Sequence, residues 1–401
     1  MHYPTRHPLP ALEDRIVADL AQSPATRSQL CEALGTSRTS LGRALATLLD
    51  EGSVTSGRSE TPGRGRPTQL LALNASAAHA VGLHVARTAC TAVMLNRAGT
   101  VLTSVHVSSD SSSLTASLKR TCEALAASAA SRGVDVSRVR AVGLGVPIPM
   151  GRHARPASCA YPSVDELGEV TTRWWPPAPV VDNTVRMAAL AEGLWGAGAG
   201  MSSFIYLRLS GGVGGCVVSD FRLVGGATGL TGELGHVSVA GDGAPCACGK
   251  RGCLETIASL PALCERAGVS GVTQLRAAVS DGDGRAVAAL ERAADGVGYV
   301  LGSAALLINP RAIVLAGEIV EAFPGFMADC SRRMRRELVP VMEWDIEILG
   351  ASLGPLGAAR GCAYVAARSI GERGEGGEGE AFGRGVAISS AVSEPVAGGR
   401  R

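Results

Sequence analysis

A chain of 401 residues, 46% hydrophobic and 18% charged, has room for two or three domains with sizeable cores. Its formal net charge of +2 excludes wholesale attraction to nucleic acid or membrane, so any polyanion contact has to come from a local patch. No stretch reaches the roughly 18 unbroken apolar residues of a membrane span, and MHYPTRHPLPALEDRIV lacks the basic start and apolar run of a secretory signal. A cytoplasmic protein without membrane contact is expected.

Residues 9–50 carry three apolar stripes at helical spacing: Leu12, Ile16, Val17 and Leu20, then Leu30 and Leu34, then Leu41, Leu45, Leu48 and Leu49. They predict three short helices, the second ended by Gly35 and the third capped by Thr36 or Ser37. Residues 52–73 follow as strand, Gly/Pro-rich loop and strand. Three helices and a two-stranded wing make the layout of a winged helix-turn-helix, spanning residues 1–75. With Leu41, Leu45 and Leu48 turned inward, Arg38, Thr39, Ser40 and Arg43 fall at the exposed start of the third helix, where a recognition helix meets base edges. Arg64 and Arg66, on the slim loop GRGRP, suit a phosphate or a narrow minor groove. Double-stranded operator DNA is the partner this pattern implies, and an ordinary solvated basic face is the alternative for the helices alone.

From about residue 80 short apolar strands alternate with alanine-rich helices. AVGLHV, TAVMLN and TVLTSVHV read as a meander with the turn NRAG, a helix covers roughly 114–131, and VRAVGLGVP is a strand. VVDN opens a second half that runs through a helix to Trp195 and repeats the theme in FIYLRLSGG and GCVVSD. This alternation predicts an α/β domain over 76–370. Residues 371–401, containing GERGEGGEGEAFGRG, are too poor in apolar groups to pack and are expected to be a disordered Gly/Glu-rich tail.

Eleven cysteines, an odd number and mostly scattered, argue against a disulfide framework in a reducing compartment. Three of them cluster in GELGHVSVAGDGAPCACGKRGCLET. His236 with Cys246, Cys248 and Cys253 forms a Cys3His set, the soft tetrahedral ligation of structural Zn2+ sites, in a loop spanning 236–253. Four protein ligands leave no open position for a catalytic water.

The same stretch resembles the signature of the ROK family of sugar-responsive repressors and sugar kinases, and LSGGVGGCVVSD resembles the glycine-rich loop before it. The resemblance extends over about 80–365 through GLGVPIP, DNTVRMAALAEGLWG and NPRAIVLAGEI. It implies a two-lobed actin-like (ribonuclease H-like) domain behind the winged helix, a head that the family's regulators carry and its kinases generally lack. It also implies zinc on His236, Cys246, Cys248 and Cys253, and a sugar pocket lined by Asn183, Glu233, His236 and Glu255. A homodimer or homotetramer on a double-stranded operator is expected, because two half-sites multiply affinity, with a sugar or sugar derivative as its effector.

Two departures count against a kinase. Where the family has a phosphate loop resembling D-x-G-G-T, this chain has His84-Val85-Ala86-Arg87-Thr88, and where the family has N-D it has Asn183-Thr184. Threonine cannot act as a general base near neutral pH. The P-G-P turn is Pro147-Ile148-Pro149, which sets a branched side chain where a glycine leaves room. A transcriptional repressor without enzymatic activity is the expected function, with a DNA-linked sugar kinase and a ligand-independent or zinc-responsive regulator as alternatives.

Overall fold

The computed structural model describes residues 12–58, 69–86, 88–109, 113–148, 162–339 and 346–372. The first unit holds α1 (Leu12–Gln22), β1 (Ala25–Thr26), α2 (Arg27–Leu34), α3 (Arg38–Asp50), β2 (Val54–Arg58) and β3 (Gln69–Leu73). Ile16, Leu30, Leu41, Leu45, Leu48 and Leu71 are its buried centre. Burying each such side chain contributes about 1.5–3 kcal/mol, which is what folds so short a segment. Gly35 closes α2 in the left-handed conformation, and Ser37, not Thr36, caps α3 by accepting from the Ser40 N–H.

The two strands expected over residues 52–73 are β2 and β3, paired antiparallel, and a third strand from before α2 joins them in the order β1-β3-β2. β1 is only two residues long, too short for any alternation to reveal it. Thr26 pairs with Leu70 and also caps α2 in a reciprocal box with Gln29, so one residue ends the strand and starts the helix.

Behind it lie two five-stranded sheets of one design. The first is built from β4 (His79–Val85), β5 (Ala89–Asn96), β6 (Val101–Ser108), β7 (Val139–Val146) and β8 (Val180–Asn183), with α4 (Leu114–Ser131), α5 (Val164–Thr172) and α6 (Thr184–Trp195). The second comprises β9 (Phe204–Leu209), β10 (Val213–Ser219), β11 (Arg222–Leu223), β12 (Ala312–Ala316) and β13 (Glu347–Gly350). Its helices are α7 (Glu255–Ala258), α8 (Leu260–Ala267), α9 (Val272–Ser280), α10 (Gly284–Ile308), α11 (Glu318–Ala322) and α12 (Phe326–Glu337), and α13 (Gly357–Glu372) returns to the first sheet. The strand orders are β6-β5-β4-β7-β8 and β11-β10-β9-β12-β13. Each is an antiparallel meander on one side and parallel strands on the other, so the repeated theme of the sequence is a repeated topology.

Helices α6 and α13 fill the space between the sheets. Met187, Ala188 and Leu190 pack with Phe204, Tyr206, Val314 and Cys362, while Ala359, Ala363 and Ala366 pack on Ala80, Val93 and Ala141. The approach of α13 is close enough to need glycine beneath it. A Cβ on Gly82 would lie 1.9 Å from the Ala359 carbonyl oxygen, and one on Gly143 2.0 Å from that of Cys362. On the outer faces α4 and α5 cover the first sheet and α8–α12 the second.

Helix α13 continues to Glu372, two residues into the segment expected not to pack, and residues 373–401 lie outside the described residues. Among the described residues no helix is long and apolar enough to cross a membrane.

Candidate functional site

Arg38, Thr39, Ser40 and Arg43 all lie on the exposed face of α3, and Leu41, Ala44, Leu45 and Leu48 occupy its buried face. Ser40 is partly committed: its hydroxyl lies 3.0 Å from that of Ser37, inside the cap. Arg38, Thr39 and Arg43 are the long or polar groups left at the helix start. Arg64 and Arg66 lie outside the described residues.

The ligand atoms of His236, Cys246, Cys248 and Cys253 all lie within 4.8 Å of one another. Cys248 Sγ is 3.6 Å from Cys253 Sγ, and Cys246 Sγ is 3.6 Å from His236 Nδ1. A tetrahedron with metal–sulfur bonds of about 2.3 Å has sulfur–sulfur edges of about 3.8 Å, so the set fits Zn2+ in spacing as well as in donor type. The loop closes on itself to make it. Cys246 N–H donates to the Lys250 carbonyl at 2.8 Å, Val239 N–H to that of Gly252 at 2.8 Å, and Ser238 pairs with Cys253. Gly252, at φ +67°, is where the strands cross: a Cβ there would meet the Ala240 carbonyl oxygen at 1.5 Å. Burial and the neighbouring thiols push Cys253 up to about 12, whereas a hydrogen bond from the Lys250 backbone holds Cys248 below the usual thiol range. Metal binding at this set therefore displaces protons.

His236 turns Nδ1 to the thiols and Nε2 to Glu233, whose Oε2 is 3.9 Å away. Burial raises the Glu233 carboxyl above its ordinary range; His236 opposes the rise and Glu255 adds to it. Glu255 begins α7 two residues after Cys253 and accepts the Val213 N–H on Oε2 at 3.0 Å, which ties the metal loop to the glycine-rich turn between β9 and β10. Glu233, His236 and Glu255 thus form one group.

Asn183 has a different position. Its Oδ1 accepts the N–H groups of Val185 and Arg186 as the cap of α6, and its Nδ2 donates to the Ile148 carbonyl at 2.8 Å. Both acceptor sites and one donor are spent on the fold, leaving a single amide N–H for a ligand. Ile148 directs its side chain into the core beneath α5, with Leu167 and Trp175, instead of filling space in the cleft.

Five further polar groups lie on the elements that border the space between the sheets. His84, at the end of β4, is 6% exposed with Nδ1 unpartnered, and Thr184 is 1% exposed with Oγ1 unpartnered. Arg208 on β9 brings Nη1 to within 3.5 Å of His84 Nε2. Burial first, then Arg208 and His106, push His84 down to about 3, so it is neutral at pH 7. Asp182 meets Arg186 at 3.1 Å, with burial raising the Asp182 carboxyl and Arg186 opposing it. Below the floor Glu192, 2% exposed, accepts from Ala197 N–H, Ser352 N–H, Ser352 Oγ and Leu353 N–H. The signal for Arg208 was present in the sequence: a lone arginine amid the five apolar residues of FIYLRL.

The model of the ROK family matches residues 80–369. The chain is 24% identical over 359 residues to the xylose repressor of Bacillus spizizenii, a match covering 86% of this chain and 92% of that protein. It is 30% identical over 222 residues to a glucokinase of Halalkalibacterium halodurans, which covers 49% of this chain and 66% of that enzyme. A solved ROK family transcriptional regulator, a homologue of the Escherichia coli MLC protein, superposes with a TM-score of 0.71 at 23% identity, covering 88% of this chain and 94% of that one.

Proposed function

The chain belongs to the ROK family, and we propose that it is a DNA-binding transcriptional repressor whose cleft senses a sugar or sugar derivative. The observation that carries this is the exposed Arg38, Thr39 and Arg43 at the start of α3, on a folded unit that precedes the family domain. The likeness to a xylose repressor over 86% of the chain supports it, since that span reaches beyond the family domain. The protein acts in the cytoplasm as a symmetric homodimer or homotetramer, because two half-sites multiply affinity and fix operator spacing. Arg64 and Arg66 add phosphate or minor-groove contacts from the wing.

His236, Cys246, Cys248 and Cys253 hold Zn2+, which supplies a closed cross-link and no reactive position. The chain's own residues then do the sensing. Loop 236–253 fixes the His236 ring with Nε2 toward Glu233 and sets Glu255 on the glycine-rich turn, so a bound hydroxyl meets groups that are already oriented. Effector changes DNA affinity by binding the two hinge states of the lobes unequally.

The likeness to a glucokinase makes a DNA-linked sugar kinase the second reading. Thr184 counts against it, being no base and buried, as does His84 where the family's phosphate loop has an aspartate.

The test is to select sites from a genomic DNA pool with purified protein at moderate salt, then screen sugars and sugar phosphates for release. Recovery of a two-fold symmetric site is expected, and failure to enrich any site rejects the proposal. Arg43→Ala should weaken specific binding by about 1–3 kcal/mol with folding intact. Unchanged affinity would show that α3 does not read bases through Arg43.

A further inference from the structure

We propose that Lys250 is a positioning residue of the metal loop: its ammonium, held on the carbonyl of His236, fixes the direction of the one nitrogen ligand and offsets the negative charge that three thiolates bring to the metal. This rests on His236, Cys246, Cys248 and Cys253 holding Zn2+, and it adds to that set a residue that is not itself a ligand.

Lys250 lies between Cys248 and Cys253 in sequence and meets the ligand set through each of its polar groups. Its Nζ donates to the His236 carbonyl oxygen. Its own carbonyl accepts the Cys246 N–H at 2.8 Å, and its N–H is the backbone group that donates to Cys248. The fourth ligand meets the same oxygen, since Cys253 Sγ stands 3.6 Å from the His236 carbonyl.

That carbonyl ends the short 3-10 turn Leu234–His236, where carbonyls have no partner within the turn. Among the described residues its hydrogen bonds come from Lys250 Nζ and the Cys253 thiol, and no backbone N–H donates to it. Zinc takes cysteine as thiolate, so metal binding removes the Cys253 donor and leaves a thiolate facing the oxygen. The ammonium is the donor that remains. It ties the end of the turn to the cysteine strand and so holds the imidazole with Nδ1 at 3.6 Å from Cys246 Sγ and Nε2 toward Glu233.

Charge points the same way. Three thiolates and a neutral imidazole on a dication leave the centre with one net negative charge, and a cation beside it favours the metal-bound state. Arg251, next in sequence, meets Pro245 and Ser238 through its backbone and serves as the control cation.

Chelator competition and Co2+ substitution on the full-length protein test this. Lys250→Met, which keeps most of the length and loses the charge, should weaken zinc binding about tenfold or more, as loss of an outer-shell partner does. It should also move the Co2+ d–d bands to longer wavelength, as a water oxygen replaces the displaced imidazole nitrogen. Lys250→Arg should return both readouts to near the wild-type values, and Arg251→Met should leave both unchanged. A measurement on the wild type needs no variant to fold: the chain has two lysines, Lys119 and Lys250, so an amine-acetylating reagent reads one against the other. Lys250 should react several-fold more slowly with zinc bound than after chelation, while Lys119, exposed on α4, reacts equally in both. Wild-type affinity or unmoved bands in folded Lys250→Met, an arginine variant no better than the methionine one, or equal Lys250 acetylation with and without zinc would each overturn the proposal. Wild-type protein that binds neither zinc nor Co2+ would reject the four-residue site itself, which metal analysis separates from a failure of Lys250 alone.

Discussion

The metal loop and the cleft floor are both clusters of polar side chains in the family domain, assembled in opposite ways. His236, Cys246, Cys248 and Cys253 lie within one continuous stretch that is laced by its own backbone hydrogen bonds. His84 and Arg208 are 124 positions apart in sequence and meet only because two sheets face each other across α6 and α13. The first cluster is a local object whose geometry survives any movement of the lobes. The second depends on how the two sheets are placed against each other, because its parts ride on different sheets.

The largest expected effect breaks the rigid half. Cys253→Ser should abolish stoichiometric zinc by elemental analysis and lower the melting temperature of the family domain, since structural zinc contributes binding free energies on the order of 10 kcal/mol in small sites. Zinc retained at one per chain would show that the four-residue set is not the site. Next comes the support beneath the floor. Glu192→Ala leaves the N–H groups of Ala197, Ser352 and Leu353 without their acceptor and should cost about 3–5 kcal/mol in urea unfolding. A loss below 1 kcal/mol would mean that the floor does not depend on that carboxylate.

A smaller effect follows from His84. The unfolded chain protonates this histidine near pH 6.5 and the folded one only near 3, so the stability it confers is complete above pH 6.5 and lost as pH falls toward 3. The slope is about 1.4 kcal/mol per pH unit, or about 2 kcal/mol by pH 5. Because acid also strips zinc from thiolates, the measurement is the difference between the wild-type protein and His84→Gln, whose curve should lack this component. Parallel curves would place His84 in water. Smallest is Asn183→Ala, expected to cost about 1 kcal/mol through loss of the α6 cap. A change confined to ligand affinity would instead return Asn183 to the pocket.

What the sequence made legible follows the same division. The span of α4, Leu114–Ser131, matches the expected 114–131, because apolar spacing and a serine at each end are local signals. The clustering of His236, Cys246, Cys248 and Cys253 was legible for the same reason: the four lie within one short stretch of sequence. Asn183 was expected in the pocket through its place in a motif, whereas its amide is mostly spent capping a helix, a role the motif does not distinguish from ligand binding. Arg208 stands out in FIYLRL as a lone charge, but the group it meets, His84, sits on β4, and no periodicity within β9 points to it. The two residues of β1 fall below the length at which a strand has a pattern at all.

The placement of α13 bears on how the protein is made. This helix lies on Gly82 and Gly143 of the first sheet, so the core begun by β4 stays open until nearly the whole family domain has been synthesised. The N-terminal unit, whose centre draws on residues 16–71 alone, has no such wait and can fold while the ribosome is still translating the rest. For much of its synthesis, each nascent chain therefore exposes a finished N-terminal unit whose companion family domain does not yet exist.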